Sequence, residues 1–156
     1  MRNLKTLSRN GYILAALLVA GSLLSGCAST TNHIFDPIEN FAGLKNYSWA
    51  TTATGATDDS LLVKNIQYFA DQALAGKGLT RVADNPDFLI SISREDEMGM
   101  YHHSYQLQML TLYVRKADTR QLMWQGSVAG TINTDSTSGN LKKTVEEILA
   151  NFPPTK

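Results

Sequence analysis

The sequence has very little cysteine: Cys27 is the only one among 156 residues. A chain with a single cysteine forms no internal disulfide, and no other cysteine is left for thiolate chemistry elsewhere in the molecule. The fold must therefore be held together by its hydrophobic core alone.

The sequence also lacks an excess of basic residues, with 14 Lys and Arg against 14 Asp and Glu. Arg2, Lys5 and Arg9 lie in the first 26 residues, which contain no acid, so residues 27–156 hold 11 basic and 14 acidic side chains and a formal charge of −3. Phosphate backbones favour clustered Lys and Arg. We therefore expect no nucleic-acid partner.

The apolar run from Tyr12 to Leu24 is too short for a membrane-spanning helix, which needs about 20 residues. Basic residues precede this run, and the small residues Ser25 and Gly26 follow it, directly before Cys27. This arrangement is typical of a secretory signal peptide. An ordinary signal peptide with an incidental cysteine and a short uncleaved anchor are the alternatives.

The segment Leu24-Ser25-Gly26-Cys27 resembles the lipobox of bacterial lipoproteins residue for residue. The resemblance implies that residues 1–26 are a signal peptide and that Cys27 carries a diacylglyceryl thioether and, in many bacteria, an amide-linked acyl chain such as palmitate. Two or more chains anchor a protein firmly, because each buried methylene contributes roughly 0.8 kcal/mol. Since Ala28 follows Cys27 where inner-membrane lipoproteins tend to have aspartate, we expect a protein anchored to the cell outer membrane and facing the periplasm.

Removal of residues 1–26 leaves 130 residues, enough for one domain with its own core. Residues 27–32 are predicted to form the acylated N-terminus and a short tether, and residues 33–156 a single domain. Apolar periodicity predicts two helices, over about 59–75 and 140–151, and strands over 33–36, 47–50, 79–82, 87–94, 105–114 and 122–132. This order predicts an α+β fold, a two-layer sandwich in which a mostly antiparallel sheet of five to six strands is packed by two helices.

The same patterns predict which side chains face the core. On the first helix we expect the buried face to be formed by Leu62, Ile66, Phe69, Ala73 and Leu74. Strand alternation places Leu110, Leu112 and Val114 on one face of the fifth strand and Leu107, Met109 and Tyr113 on the other. Trp49 and Trp124 are expected in the core, with each indole N–H bonded to a backbone carbonyl.

The segment from Glu95 to His103 breaks the strand pattern and is predicted to be a loop. It contains Met98, Met100, His102 and His103, and thioether and imidazole groups suit a copper ion. Adjacent histidines point to opposite sides of an extended chain, and the spacing matches no known metal site, so the favoured interpretation is a polar hairpin loop without a bound metal.

No frame for catalysis surrounds the serines at positions 60, 91, 93 and 104, since the Gly-x-Ser-x-Gly turn of hydrolases is absent. Gly76-Lys77-Gly78 is too sparse for a phosphate-binding loop and is explained as a helix end. The sequence therefore predicts a protein that is not an enzyme, with no catalytic residue and no cofactor.

Short motifs along the domain resemble those of DUF4136, a family of bacterial lipoproteins with a domain of unknown function. The matching segments are Phe41 with Tyr47-Ser48-Trp49, Gly76-Lys77-Gly78-Leu79, Pro86-Asp87-Phe88, Asp118 with Trp124-Gln125-Gly126, and Phe152-Pro153-Pro154. Family members have no established reaction or cofactor. The resemblance therefore implies a fold and a location, and it leaves the activity open.

Two functional hypotheses follow. The first is a lipid-anchored envelope lipoprotein that binds another envelope protein or the cell wall without catalysis, through a sheet edge or the sheet face that the helices leave uncovered. The alternative is a periplasmic carrier of a small ligand or of copper, using a pocket between sheet and helices or the loop with Met98 and His102.

Overall fold

Six strands form one mixed sheet, and two helices pack against one of its faces. The computed structural model describes residues 30–50, 61–98, 105–134 and 139–154. The elements are β1 (Thr30–Phe35), β2 (Asn46–Trp49), α1 (Leu61–Ala75), β3 (Thr80–Arg81), β4 (Phe88–Met98), β5 (Tyr105–Lys116), β6 (Leu122–Ile132) and α2 (Asn140–Leu149). The predicted α+β class is confirmed. Neither described helix is long and apolar enough to cross a membrane.

The strand order across the sheet is β1-β6-β5-β4-β2-β3. The pairs β1–β6, β6–β5 and β5–β4 are antiparallel, whereas β2 runs parallel to both β4 and β3. The antiparallel half follows from the tight β5–β6 turn, where Arg120 has a positive φ of 62° and the Lys116 N–H donates to the Gln121 carbonyl. The parallel half follows from α1, which supplies the crossover that two parallel neighbours need.

The core lies between the helices and one face of the sheet. Its centre is Phe152, whose ring lies 5.1 Å from that of Trp124, 5.6 Å from Phe88 and 6.2 Å from Phe41. These four side chains come from the C-terminal segment, two strands and the segment before β2. The segment that follows α2 therefore closes the core through Phe152.

The buried face of α1 differs from the prediction at several positions. The fully buried side chains are Val63, Ile66, Ala70 and Leu74, whereas Leu62, Phe69 and Ala73 are partly buried at the margin of the core. The predicted stripe is rotated by about one residue, because α1 packs against α2 as well as against the sheet. The helix ends at Ala75, as expected from the glycines that follow it: Gly78 has a φ of +81°, and the Leu79 N–H donates to the Leu74 carbonyl.

A β-bulge in β5 corrects the predicted alternation. Met109 pairs with Glu95 and Leu107 with Asp96, so Gln108 is the extra residue. The bulge turns Leu107 to the same side as Leu110, and both side chains are buried in the core. The prediction that Leu107 lies on the opposite face was wrong, because strict period-two reasoning fails across an inserted residue.

The largest differences from the predicted element boundaries are at the end of β4 and at the start of β1. Strand β4 continues to Met98, so residues 95–98, predicted to begin a loop, form a ladder with β5. Strand β1 begins at Thr30, three residues before the predicted start at His33. Both extensions are rich in polar residues, and their strand structure comes from pairing with a neighbouring strand and not from apolar alternation.

The start of β2 is held by the carboxylate of Asp87. Its Oδ2 accepts the backbone N–H groups of Lys45 at 2.9 Å and Asn46 at 2.8 Å. These two hydrogen bonds lower the pKa of Asp87 below its ordinary value. The Asp87 carboxylate thus links the turn before β4 to the neighbouring parallel strand.

Because the folded-state pKa of Asp87 is depressed, its contribution to stability is present above the unfolded pKa of about 3.9 and is lost as pH falls through the folded pKa. We expect Asp87→Ala to lower the free energy of unfolding by about 1 kcal/mol at pH 7, a discounted value for an exposed group. The difference from wild type should shrink below pH ~3. Urea unfolding at pH 7 and below pH ~3 measures the difference between wild type and Asp87→Ala, with Asp84→Ala as the control. A difference that grows in acid would contradict this role of the Asp87 carboxylate.

Candidate functional site

Most residues singled out from the sequence for lipid or metal binding lie outside the described residues: Cys27, Met100, His102 and His103. Met98 is the last residue of β4, where its backbone pairs with Tyr105, and its side chain also lies outside the description. Within residues 30–50, 61–98, 105–134 and 139–154, no three His, Cys, Asp or Glu side chains are grouped to hold a metal ion.

A polar cluster joins α1 to the parallel end of the sheet. We call it the Asp71 cluster, formed by Tyr47, Trp49, Asp71 and Arg81. Oδ1 of Asp71 accepts the Tyr47 hydroxyl at 2.7 Å and the Trp49 Nε1–H at 3.0 Å, and Oδ2 accepts Nη1–H of Arg81 at 3.0 Å. Three donors from two strands therefore converge on one half-buried carboxylate.

The local sequence explains this convergence. Tyr47 and Trp49 are two residues apart on β2, so their side chains lie on the same face, and their rings meet edge to face at 6.5 Å. Arg81 of β3 pairs with Tyr47 in the parallel ladder. Asp71 follows Ala70 on α1, at the border between the buried stripe and solvent, where a short acidic side chain reaches the edge of the sheet.

The surroundings of the Tyr47 hydroxyl in the Asp71 cluster determine its protonation state. Burial, and then the hydrogen bond to Asp71, raise the pKa of Tyr47 above its usual range. The phenol therefore stays protonated and acts as a donor, so it does not supply a base. The Asp71 carboxylate is paired with Arg81, whose side chain is about half exposed. The geometry makes this cluster a satisfied hydrogen-bond network that fixes α1 on β2 and β3.

A shallow depression of about 380 Å³ opens beside the cluster. A second one, of about 490 Å³, lies near the β5–β6 turn, where Lys116 Nζ contacts Glu39 Oε1 at 2.7 Å. The hydrogen bond to Glu39 raises the pKa of Lys116, and the Thr119 N–H lowers that of Asp118. The principal charged groups of both depressions are thus already engaged with groups of the same chain.

Sequence reasoning did not single out Asp71 or Arg81. The available signal was an acid beside the apolar stripe of a helix, about three turns after the start of that helix, together with two aromatic residues at alternate strand positions. The expectation for Trp49 was wrong in two respects: this side chain is only partly buried at the margin of the core, and its Nε1–H donates to a side chain. Trp124 is fully buried, as expected, but its Nε1 has no partner among the described residues.

The other notable surface is the edge of the sheet at β1, where no described strand pairs with the outer side of β1. All six residues of β1 are exposed, and three apolar side chains lie on or just after it: Ile34 at 61 % exposure, Phe35 at 37 % and Ile38 at 88 %. Ile34 pairs with Gln125 on the face without helices, and Phe35 pairs with Trp124 on the face with helices. The hypothesis of a protein or cell-wall contact named a sheet edge as one of two possible contact surfaces, and β1 is an edge strand.

Comparison with known proteins identifies a family and a fold. The family model described as "Domain of unknown function (DUF4136)" matches residues 31–154. The sequence matches no curated protein. Similar solved structures include a DUF4136 family protein from Bacteroides thetaiotaomicron, with a TM-score of 0.56, 13 % identity, and coverage of 80 % of this chain and 94 % of that one.

Two further solved structures have the same fold. A PDZ domain protein from Parabacteroides distasonis gives a TM-score of 0.59 at 14 % identity over 82 % of this chain, and the match spans only 37 % of that protein's length. A PelC dodecamer from Paraburkholderia phytofirmans gives 0.54 at 14 % identity, covering 79 % of this chain and 96 % of that one. At these identities the likeness concerns the fold alone.

Proposed function

Since the chain belongs to the DUF4136 family, whose description assigns no activity, we propose that it is a lipid-anchored envelope protein that binds another envelope component without catalysis. The observation that carries this proposal is the short distance along the chain between the proposed lipid anchor and the folded domain. Strand β1 begins at Thr30, three residues after the lipobox cysteine. An extended chain covers about 3.3 Å per residue, so β1 lies within roughly 10 Å of the lipid.

The anchor is proposed from the sequence around Cys27. The apolar run, the small residues before the cysteine and the lack of any other cysteine agree on lipidation at this position. Ala28 in place of an aspartate favours the outer membrane over the inner membrane, with the domain on the periplasmic side.

Two features support binding over catalysis. The polar groups of the Asp71 cluster are mutually satisfied, and the raised pKa of Tyr47 keeps its hydroxyl protonated. By contrast, β1 presents an uncharged, exposed strand edge with Ile34 and Phe35, and such edges pair readily with strands of other chains.

The alternative of a small-ligand carrier has a weaker basis. The volumes of the two depressions lie within the range that is typical of small-ligand sites. A carrier site, however, would present polar groups free to bind a ligand, and here Asp71 is paired with Arg81 and Lys116 with Glu39. We therefore favour a macromolecular partner.

Replacing Cys27 with serine is expected to release the protein from membranes, because the hydroxyl does not accept the thioether-linked lipid. In density-gradient fractionation, wild type should band with the outer membrane, and about 90 % or more of Cys27→Ser should be soluble. Ala28→Asp is the matched control: it should stay lipidated and move toward the inner membrane. Retention of Cys27→Ser in the membrane fraction would refute the proposed anchor.

A further inference from the structure

The hydrogen bonds between β1 and β6 show which backbone groups of β1 point away from β6. The N–H of Asp36, the residue after β1, donates to the Met123 carbonyl of β6 at 2.9 Å. Inward and outward groups alternate in an antiparallel ladder. The N–H and C=O groups of Thr31, His33 and Phe35 therefore point away from β6, and no described strand pairs with them.

Within the described part of the chain, strand β1 has none of the usual protection of an edge. Its sequence, Thr-Thr-Asn-His-Ile-Phe, contains no Lys, Arg, Asp, Glu or Pro, and its pairing with β6 is regular over all six residues. Natural sheets block exposed edges with charges, prolines, bulges or very short strands. The opposite edge follows this rule, since β3 has two residues and one of them, Arg81, is paired with Asp71.

We propose that β1 pairs antiparallel with β1 of a second copy of this chain, in a register centred on His33. This proposal rests on the lipid anchor proposed above. In this register Thr31 faces Phe35 of the second copy and His33 faces His33. The three outward residues of each copy then exchange six hydrogen bonds, and none of their outward N–H or C=O groups is left over.

The side chains of β1 also fit pairing with β1 of a second copy. On the face without helices, Ile34, which is 61 % exposed, would lie opposite Asn32 of the second copy. On the face with helices, Phe35 would lie opposite Thr31. Strand β1 contains no Lys, Arg, Asp or Glu, so the new contact places no carboxylate, ammonium or guanidinium group of β1 against the second copy.

The anchors are compatible with this symmetry. The two-fold axis of a pair of antiparallel strands is perpendicular to the sheet, and two copies in one membrane share an axis along the membrane normal. The joined twelve-stranded sheet therefore lies parallel to the membrane. The two Thr30 residues are then about 20 Å apart along the strands, and the three residues back to each Cys27 reach the bilayer from both ends. Confinement to one membrane also raises the effective concentration of the second copy.

The test uses introduced cysteines in the full-length, membrane-bound protein, where the sulfur of Cys27 is bonded to lipid. His33→Cys and Thr31→Cys are compared in isolated membranes with a bismaleimide that spans about 8 Å. Residues at position 33 of the two copies lie about 5.5 Å apart in the proposed register, whereas those at position 31 lie about 14 Å apart. His33→Cys should therefore give at least about five-fold more crosslinked dimer than Thr31→Cys.

Further arms of the experiment separate the outcomes. Thermal unfolding shows that both variants fold, and mixing Thr31→Cys with Phe35→Cys should restore a crosslink that neither variant gives alone. Equal or absent crosslinking at both positions in membrane-bound protein overturns the dimer and leaves the anchor intact. A His33→Cys adduct to a different protein, without homodimer, also overturns it. Failure of the anchor appears separately, as soluble protein in the same fractions.

Discussion

Replacing Gly126 with alanine is expected to lower the free energy of unfolding by about 3 kcal/mol or more, among the largest effects of any single methyl group in this domain. Trp124 and Gly126 are two residues apart on β6 and share the face that packs on α2. A Cβ at position 126 would overlap Cη2 of Trp124, lie 2.7 Å from its Cζ2 and 3.0 Å from Cγ2 of Ile148. The indole lies over the glycine and is fully buried, so it has no free direction in which to move.

Urea unfolding followed by tryptophan fluorescence measures this effect. Gly43→Ala is the matched control, since a Cβ there has no atom within 4 Å, and its free energy of unfolding should stay within about 0.5 kcal/mol of wild type or rise slightly. A Gly126→Ala protein within about 1 kcal/mol of wild type would contradict the packing of Trp124 described here.

The second large effect is expected at Asp71. Asp71→Ala removes the acceptor of the Tyr47 hydroxyl and of the Trp49 indole. Tyr47 is buried, so its unpaired hydroxyl would cost about 1–3 kcal/mol, and the indole adds a smaller amount. We expect the free energy of unfolding to fall by about 2–4 kcal/mol, with weaker attachment of α1 to β2.

Two variants separate the contributions of hydrogen bonds and charge in the Asp71 cluster. Arg81→Ala removes a half-exposed ion pair and should cost no more than about 1 kcal/mol. Asp71→Asn keeps an acceptor oxygen for Tyr47 and should cost less than Asp71→Ala. Chemical denaturation of the three variants at pH 7 gives the comparison. Equal losses for Arg81→Ala and Asp71→Ala would mean that the ion pair, not the network, stabilises this corner.

Much of the fold is readable from the sequence where local chemistry and tertiary packing agree. The β5–β6 hairpin follows from two alternating apolar segments around a four-residue polar turn, and α1 follows from apolar spacing and the glycines after it. The motifs shared with the family have clear structural roles: Phe152 centres the aromatic core, Asp87 holds the start of β2, and Gly126 makes room for Trp124.

Other features depend on contacts that no local pattern contains. The bulge at Gln108 turns Leu107 into the core, and only the register with β4 reveals it. Residues 95–98 form strand because β5 pairs with them, although their sequence is acidic. The role of Asp71 arises because α1 packs beside β2 and β3, so that side chains 10 to 24 residues away along the chain meet one carboxylate. The free edge at β1 likewise appears only when the strand order is known.

The central claim is that Cys27 carries the lipid that holds this domain in the envelope. The most direct measurement is mass spectrometry of the N-terminal peptide from protein purified out of membranes. We predict a mature chain that begins at Cys27 and carries a diacylglyceryl group on sulfur, with or without an acyl chain on the amino group. A mature chain that begins at another residue, or an unmodified Cys27 thiol, would contradict the account.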